Sequence, residues 1–225
     1  YPGGVVIPIF HHLHYAPFKF ILSRHEQGAV HAADGYARAS GKTGVVIATS
    51  GPGATNLVTG IATAHMDSVP LVLITGQVSR KMIGNDAFQE VDVTGITRPI
   101  TKHNYLVQDI KDLARIIKEA FHIASTGHPG PVVIDVPVDI SKGEYKFVYP
   151  ETVNLRGYKP VYDGHPMQIK KACDLIEAAR KPVIYAGGGV VIANAYRELR
   201  EFVEKTGIPI TTTLLGMGIY PETDP

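Results

Sequence analysis

Five short apolar runs recur along the chain: Val45 to Ala48, Leu71 to Thr75, Val132 to Val136, Val183 to Ala186 and Ile208 to Thr211. Apolar runs of this length, without polar alternation, read as strands covered on both faces. The stretches between them have helical spacing. Leu57, Val58, Ile61, Ala62 and His65 share one helix face, as do Ile110, Leu113, Ala114, Ile117, Phe121 and Ala124. Strands alternating with helices of this kind imply parallel pairing with helical crossovers. The expected class is therefore α/β, a parallel sheet with flanking helices followed by part of a second α/β domain.

The rhythm fails between residues 141 and 166, where Pro150, Pro160 and Pro166 stand among four tyrosines with no sustained period. An unstructured stretch of this length is uncommon inside one compact domain, so it reads as a connector. The expected organisation is a first domain over residues 1–141, a linker over 142–166, and the start of a second domain over 167–225. In the second, Ile169, Ala172, Cys173, Ile176 and Ala179 begin a helix, and a strand ends in Gly187-Gly188-Gly189. Tyr1-Pro2-Gly3-Gly4 has neither initiator Met nor targeting pattern, and Tyr220 to Pro225 stops in a loop-like segment, so the chain reads as a piece of a longer one.

Charge excludes some partners. The 22 Lys and Arg nearly balance 21 Asp and Glu, and neither sign forms a block, which argues against nucleic acid. No apolar run approaches the roughly 20 residues that a membrane helix requires. The single cysteine, Cys173, fits a reducing compartment, and a soluble, cytoplasmic protein is expected. Cys173 lies in an apolar helical stripe and reads as a buried, inert thiol. His11, His12 and His14 read as the solvated face of a short amphipathic helix rather than as metal ligands. His103, in Lys102-His103-Asn104, could approach a ligand, but no neighbour names a partner for it.

Three segments could carry chemistry. Phe18 to Leu22 reads as a strand, and Ser23-Arg24-His25-Glu26 leads into an Ala-rich helix. Ser23 and Glu26 match a capping box, in which Glu26 would bond back to the Ser23 backbone. Alternatively, a carboxylate at a strand's carboxyl end stands where open parallel sheets bind ligands. The next strand ends in Thr49-Ser50-Gly51-Pro52-Gly53-Ala54-Thr55-Asn56, whose glycines allow close backbone approach to a ligand or simply make a tight strand-to-helix turn. It is neither GxxxxGK[ST] nor GxGxxG. The third strand ends at Gly76-Gln77, and its loop carries Asn85-Asp86-Ala87-Phe88-Gln89-Glu90.

Taken together, Tyr1 to Gly4, Arg24 to Ala29 with Ala32 to Arg38, Ser50 to Asn56, and Asp86 to Glu90 closely resemble the catalytic subunit of the acetohydroxyacid synthase (acetolactate synthase) family. Thr97-Arg98-Pro99-Ile100 and Pro129-Gly130-Pro131-Val132 extend the resemblance through essentially the whole chain. The resemblance implies a thiamine diphosphate pyrimidine-binding domain, then the start of a central domain. The glutamate matching Glu26 would hydrogen-bond N1′ of the aminopyrimidine and favour the imino tautomer, whose N4′ acts as a base toward the thiazolium C2 proton. The implied reaction is decarboxylation of pyruvate and condensation with a second 2-ketoacid, pyruvate or 2-oxobutyrate, in branched-chain amino-acid biosynthesis.

By the same resemblance, Tyr1, Thr49, Pro52, Asn56 and Gln89 surround thiamine diphosphate, with Gln89 also at the catalytic centre, and Gly4 and Phe88 line the reaction space. FAD would be touched by Gly187, Gly188, Gly189, Thr213 and Leu214. Two departures matter: Val138 stands where many relatives have Lys in a Pro-Lys-Asp triplet, and His128 stands where others have Arg before Pro-Gly-Pro. The Gly-Asp-Gly segment with later paired Asn that binds Mg²⁺ and the diphosphate is absent, so no metal ligand is assigned here and these residues alone are expected to be inactive. A homodimer or tetramer and a small regulatory subunit are implied as partners. A pyruvate oxidase or decarboxylase of the same family, and a non-catalytic nucleotide-binding module, are the alternative readings.

Overall fold

A computed structural model describes residues 2–223, which form two compact units, one ending at Tyr162 and one beginning at Asp163. The first unit runs through α1 (Ile7–Leu13), α2 (Glu26–Ser40), β1 (Gly44–Ala48), α3 (Pro52–Thr55), α4 (Val58–Met66), β2 (Leu71–Gln77), α5 (Val93–Thr97), β3 (His103–Leu106), α6 (Leu113–Ser125), β4 (Pro131–Pro137) and α7 (Val138–Ser141). Its strands form one sheet in the order β1-β2-β4-β3, every pairing parallel.

The apolar runs divide between two layers because alternate strand residues point to opposite faces. Leu71, Leu73 and Val133 turn to the face covered by Val30, Ala33 and Ala37 of α2 and Ile61 and Ala64 of α4. Val72, Val132 and Ile134 turn to the other face, under Ile116, Ala120, Ile123 and Ala124 of α6. β4 is buried throughout, as its unbroken run predicts. β1 departs from the reading: it is an edge strand, and Val45 is 46% exposed.

Two further segments differ from expectation. β3, with the polar sequence His103-Asn104-Tyr105-Leu106, pairs on the far side of β4 and carries no apolar run to announce it. Phe18 to Leu22 is not a strand and pairs with none among the described residues; Phe20 instead sets its ring edge-on to Phe10, centroids 6.2 Å apart.

Residues 142–165 contain neither helix nor strand, yet the part up to Tyr162 is fastened to the first unit rather than spanning freely as a connector. Tyr158 donates its hydroxyl to the Thr126 carbonyl at 2.6 Å, and Lys102 donates to that carbonyl at 2.9 Å and to Tyr158 Oη at 3.0 Å. These groups meet the exposed carbonyls at the end of α6, where a cation also complements the helix dipole.

The second unit contains α8 (Pro166–Ala178), β5 (Ile184–Ala186), α9 (Gly188–Ile192), α10 (Tyr196–Thr206) and β6 (Ile210–Thr212), with β5 and β6 paired in parallel. Cys173 on α8 is exposed, which corrects the reading of a buried thiol: α8 has apolar spacing, but Met167, Ile169 and Leu175 on it are exposed as well. Among the described residues no helix is long and apolar enough to cross a membrane, and no group of three or more His, Cys, Asp or Glu side chains could hold a metal ion.

Candidate active site

The start of α2 does not form the capping box that Ser23 and Glu26 suggest. His25 is the N-cap, its Nδ1 accepting from the Gln27 backbone N–H at 3.1 Å, and Ser23 Oγ is buried without a hydrogen-bond partner among the described residues. The Glu26 carboxylate turns elsewhere. It is 6% exposed, and its Oε2 accepts from Asn56 Nδ2 at 2.9 Å, joining the N-terminus of α2 to the end of α3. Glu26 therefore reaches the carboxyl end of β1 through its helix, not through a preceding strand. An acidic side chain there is favoured by the helix dipole, and a short amide contact fixes its rotamer.

The turn after β1 closes around that carboxylate. A Cβ at Gly53 would stand 2.6 Å from Thr49 Cγ2 and 3.3 Å from Glu26 Oε1, and one at Gly3 would stand 2.5 Å from Thr49 Oγ1. Thr49 is thus flanked by two backbones that only glycine permits. Gly51 has φ +56°, and a Cβ there would lie 2.5 Å from the Gln89 carbonyl oxygen. The loop after β2 is pressed against the turn after β1 at that point.

The loop carrying Phe88 and Gln89 is stapled by a residue the sequence reading quoted but gave no role. Glu90 accepts from the backbone N–H groups of Gly84 and of Ala87, the latter at 2.9 Å, while Asp86 and Gln89 adopt positive φ of 53° and 58°. These backbone bonds, Gly84 first and Ala87 next, hold the Glu90 carboxyl below the ordinary carboxylate range. A depressed folded-state pKa means that the stabilisation is present above the unfolded carboxylate pKa and is lost as pH falls through the folded one. Protection of the Gly84 and Ala87 amides, relative to their intrinsic exchange rates at each pH, is therefore expected to fall only in acid below that range. Glu90→Gln, with a single side-chain acceptor, should quicken one of the two at every pH; protection independent of pH and of this substitution would contradict the staple.

Below the loop lies a buried polar chain that sequence reasoning missed. Asp135 on β4, 2% exposed, accepts from Thr75 Oγ1 at 2.7 Å and from Gln77 Nε2 at 2.9 Å. Burial pushes its carboxyl up to about 7, the two donors acting in the opposite direction and nearby Asp92 adding to the rise. The signal was available: Asp135 is the one carboxylate inside the buried run Val132 to Val136.

The first unit thus brings together Glu26, Asn56 and Thr49, and presses Gln89 against the same turn. Pro52 opens α3 and is exposed; Phe88 projects from its loop, 88% exposed. Gly4 begins a 3₁₀ turn over Gly4–Val6, and a Cβ there would meet nothing within 4 Å. Tyr1 lies outside the described residues. In the second unit only Gly187 of the three glycines meets Thr213: a Cβ at Gly187 would stand 3.1 Å from Thr213 Oγ1, both residues following the carboxyl ends of the paired strands, whereas one at Gly188 would stand 3.2 Å from Leu215 Cβ and one at Gly189 would meet nothing within 4 Å; Leu214 is exposed. His103 sets its ring edge-on to Tyr105 within β3, centroids 4.5 Å apart.

Two family models match the chain: thiamine pyrophosphate enzyme, N-terminal TPP binding domain, over residues 1–96, and thiamine pyrophosphate enzyme, central domain, over residues 169–225. On these two matches, with a parallel α/β sheet consistent with the first, the chain belongs to the thiamine pyrophosphate enzymes. Within them it is similar, at 54% identity over 222 residues, to the acetolactate synthase large subunit of Corynebacterium glutamicum, covering 98% of this chain and 36% of that protein. It is equally similar, 54% over 224 residues, to the acetolactate synthase large subunit of Buchnera aphidicola, covering 98% and 39%, and, 54% over 228 residues, to a probable acetolactate synthase large subunit of Methanococcus aeolicus, covering 100% and 38%. The chain therefore spans 36–39% of the length of these relatives.

Proposed function

We propose that the chain forms the pyrimidine-binding part of an acetolactate synthase catalytic subunit, with Glu26 as the residue that meets N1′ of thiamine diphosphate. The observation that carries this reading is the Glu26 carboxylate, nearly buried and oriented by Asn56 rather than by a helix cap. The residues present fit the aminopyrimidine half of the cofactor. A flat ring needs close backbone approach and one directed carboxyl; Gly3 and Gly53 bring backbone against Thr49, Gly53 also beside Glu26, and Gly51 brings it against Gln89, at distances that a Cβ would forbid.

When bound, thiamine diphosphate supplies the electron sink for decarboxylating pyruvate and joining the remaining two carbons to pyruvate or 2-oxobutyrate. The chain's own residues hold and polarise it. Glu26 would meet the ring nitrogen through a hydrogen bond, and Asn56 keeps its carboxyl group from rotating away. Thr49, Pro52 and Gln89 frame the ring, while Phe88 and Gly4 border the space for the ketoacid. Water is kept from Glu26 by the packing that buries it, which strengthens each electrostatic contact there.

Gly187 to Gly189, Thr213 and Leu214 are proposed to touch FAD, in keeping with their place at the carboxyl ends of two parallel strands. Mg²⁺ and the diphosphate are assigned to a part of the protein outside these 225 residues. A catalytic homodimer or tetramer, a small regulatory subunit and a cytoplasmic location complete the reading. Its test uses pyruvate with thiamine diphosphate, Mg²⁺ and FAD. The intact protein should form acetolactate and the 225-residue chain alone should form none. Acetate or acetaldehyde as the intact protein's main product, or substantial acetolactate from the chain alone, would overturn it.

A further inference from the structure

The loop that carries Phe88 and Gln89 has a second anchor, reached from the centre of the sheet. Gln77 is the last residue of β2, and its side-chain amide is fully used: Nε2 donates to Asp135 Oδ2 at 2.9 Å and to the Val91 carbonyl at 2.9 Å, and Oε1 accepts from the Val78 backbone N–H at 2.8 Å. Turning the amide over would set its oxygen against two acceptors and leave the Val78 N–H without its acceptor. Asp135 therefore fixes which way Gln77 faces. Gln77 in turn holds Val91, two residues beyond the Gln89 whose carbonyl stands over Gly51.

We infer that Asp135 and Gln77 are positioning residues for the candidate active site: a hydrogen-bonded relay from β4 through the Gln77 amide to Val91 sets where the Phe88–Gln89 turn closes on the turn after β1. The inference rests on the proposed thiamine diphosphate reading for what that turn closes over. Thr75 shares the same carboxylate through Oδ1 but touches no part of the loop by this route, which separates a relay from a merely stabilising cluster. Burying a carboxylate is costly unless its oxygens are satisfied, and here each oxygen has one donor. The two donors do different work: Thr75 satisfies the charge, and Gln77 passes its position on.

The test measures thiamine diphosphate affinity of the intact protein, hydrogen exchange at the Gln89 and Glu90 amides, and thermal stability. Gln77→Met should weaken cofactor binding about tenfold, the equivalent of one lost contact of about 1.4 kcal/mol, and quicken exchange in the turn. Asp135→Asn, whose amide can still accept from Gln77 and donate to Thr75, should stay close to the unsubstituted protein on both. Thr75→Val should lower stability while leaving affinity and turn exchange unchanged. Should Gln77→Met fail to fold, the double substitution Gln77→Met with Asp135→Leu also removes the buried carboxylate that the single change leaves short of a donor, and should still loosen the turn. Equal effects of Thr75→Val and Gln77→Met on affinity, or an unmoved turn in the double variant, would overturn the relay. Absence of thiamine diphosphate binding by the unsubstituted protein would instead overturn the proposed function.

Discussion

Glu26→Gln in the intact protein is expected to lower turnover of pyruvate by about a hundred- to ten-thousand-fold, the range associated with loss of a positioned acid or base. Fold and cofactor binding should largely survive. Glutamine has the same length, and its Oε1 can accept from Asn56 Nδ2 as the carboxylate Oε2 does at 2.9 Å. The helix start is not at risk, because His25 rather than Ser23 with Glu26 forms the cap. The change removes one negative charge from the first turn of α2, worth about 0.3–1 kcal/mol at most exposed sites. Steady-state kinetics beside thermal unfolding separates the two effects. Full turnover in Glu26→Gln would leave the carboxylate a structural bridge between α2 and α3.

Gly51→Ala carries the second large effect. Its φ of +56° with ψ of −117° lies in a region that L residues scarcely occupy, a cost of about 1–3 kcal/mol. The added Cβ would also meet the Gln89 carbonyl at 2.5 Å, and that neighbour is backbone, which cannot turn aside. The turn and the loop must separate, so both stability and thiamine diphosphate affinity should fall. Gly41→Ala provides the comparison: Gly41 ends α2 with φ +68° and ψ +11°, and a Cβ there meets nothing within 4 Å. It should cost about 1–2 kcal/mol for the left-handed conformation alone and leave cofactor affinity intact. Equal losses of affinity in the two variants would show that closure of Gln89 on Gly51 plays no part in binding.

The sheet was legible because its central strands are long apolar runs, and covering both faces of a sheet leaves few other ways to write Leu71 to Thr75 or Val132 to Val136. β3 was not, since an edge strand of four residues with His103 and Asn104 has no periodic signature. Phe18 to Leu22 had the composition of a strand without a partner to pair with, and backbone pairing is a tertiary fact that local composition cannot supply. Glu26 was found twice over, as a cap from local spacing and as a functional carboxylate from its surroundings, and the geometry at His25 and Asn56 decides against the cap. The relay through Asp135, Gln77 and Val91 joins residues 58 and 14 positions apart, so no window along the chain contains it.

Exchange of the thiazolium C2 proton of bound thiamine diphosphate with solvent deuterium tests the central claim most directly, because it reads activation of the cofactor without ketoacid chemistry or product release. In the intact protein, Glu26→Gln with cofactor bound should slow that exchange by at least about a hundredfold relative to Glu26. Exchange at the unsubstituted rate, with the cofactor still bound, would contradict the assignment of Glu26 as the residue that activates it.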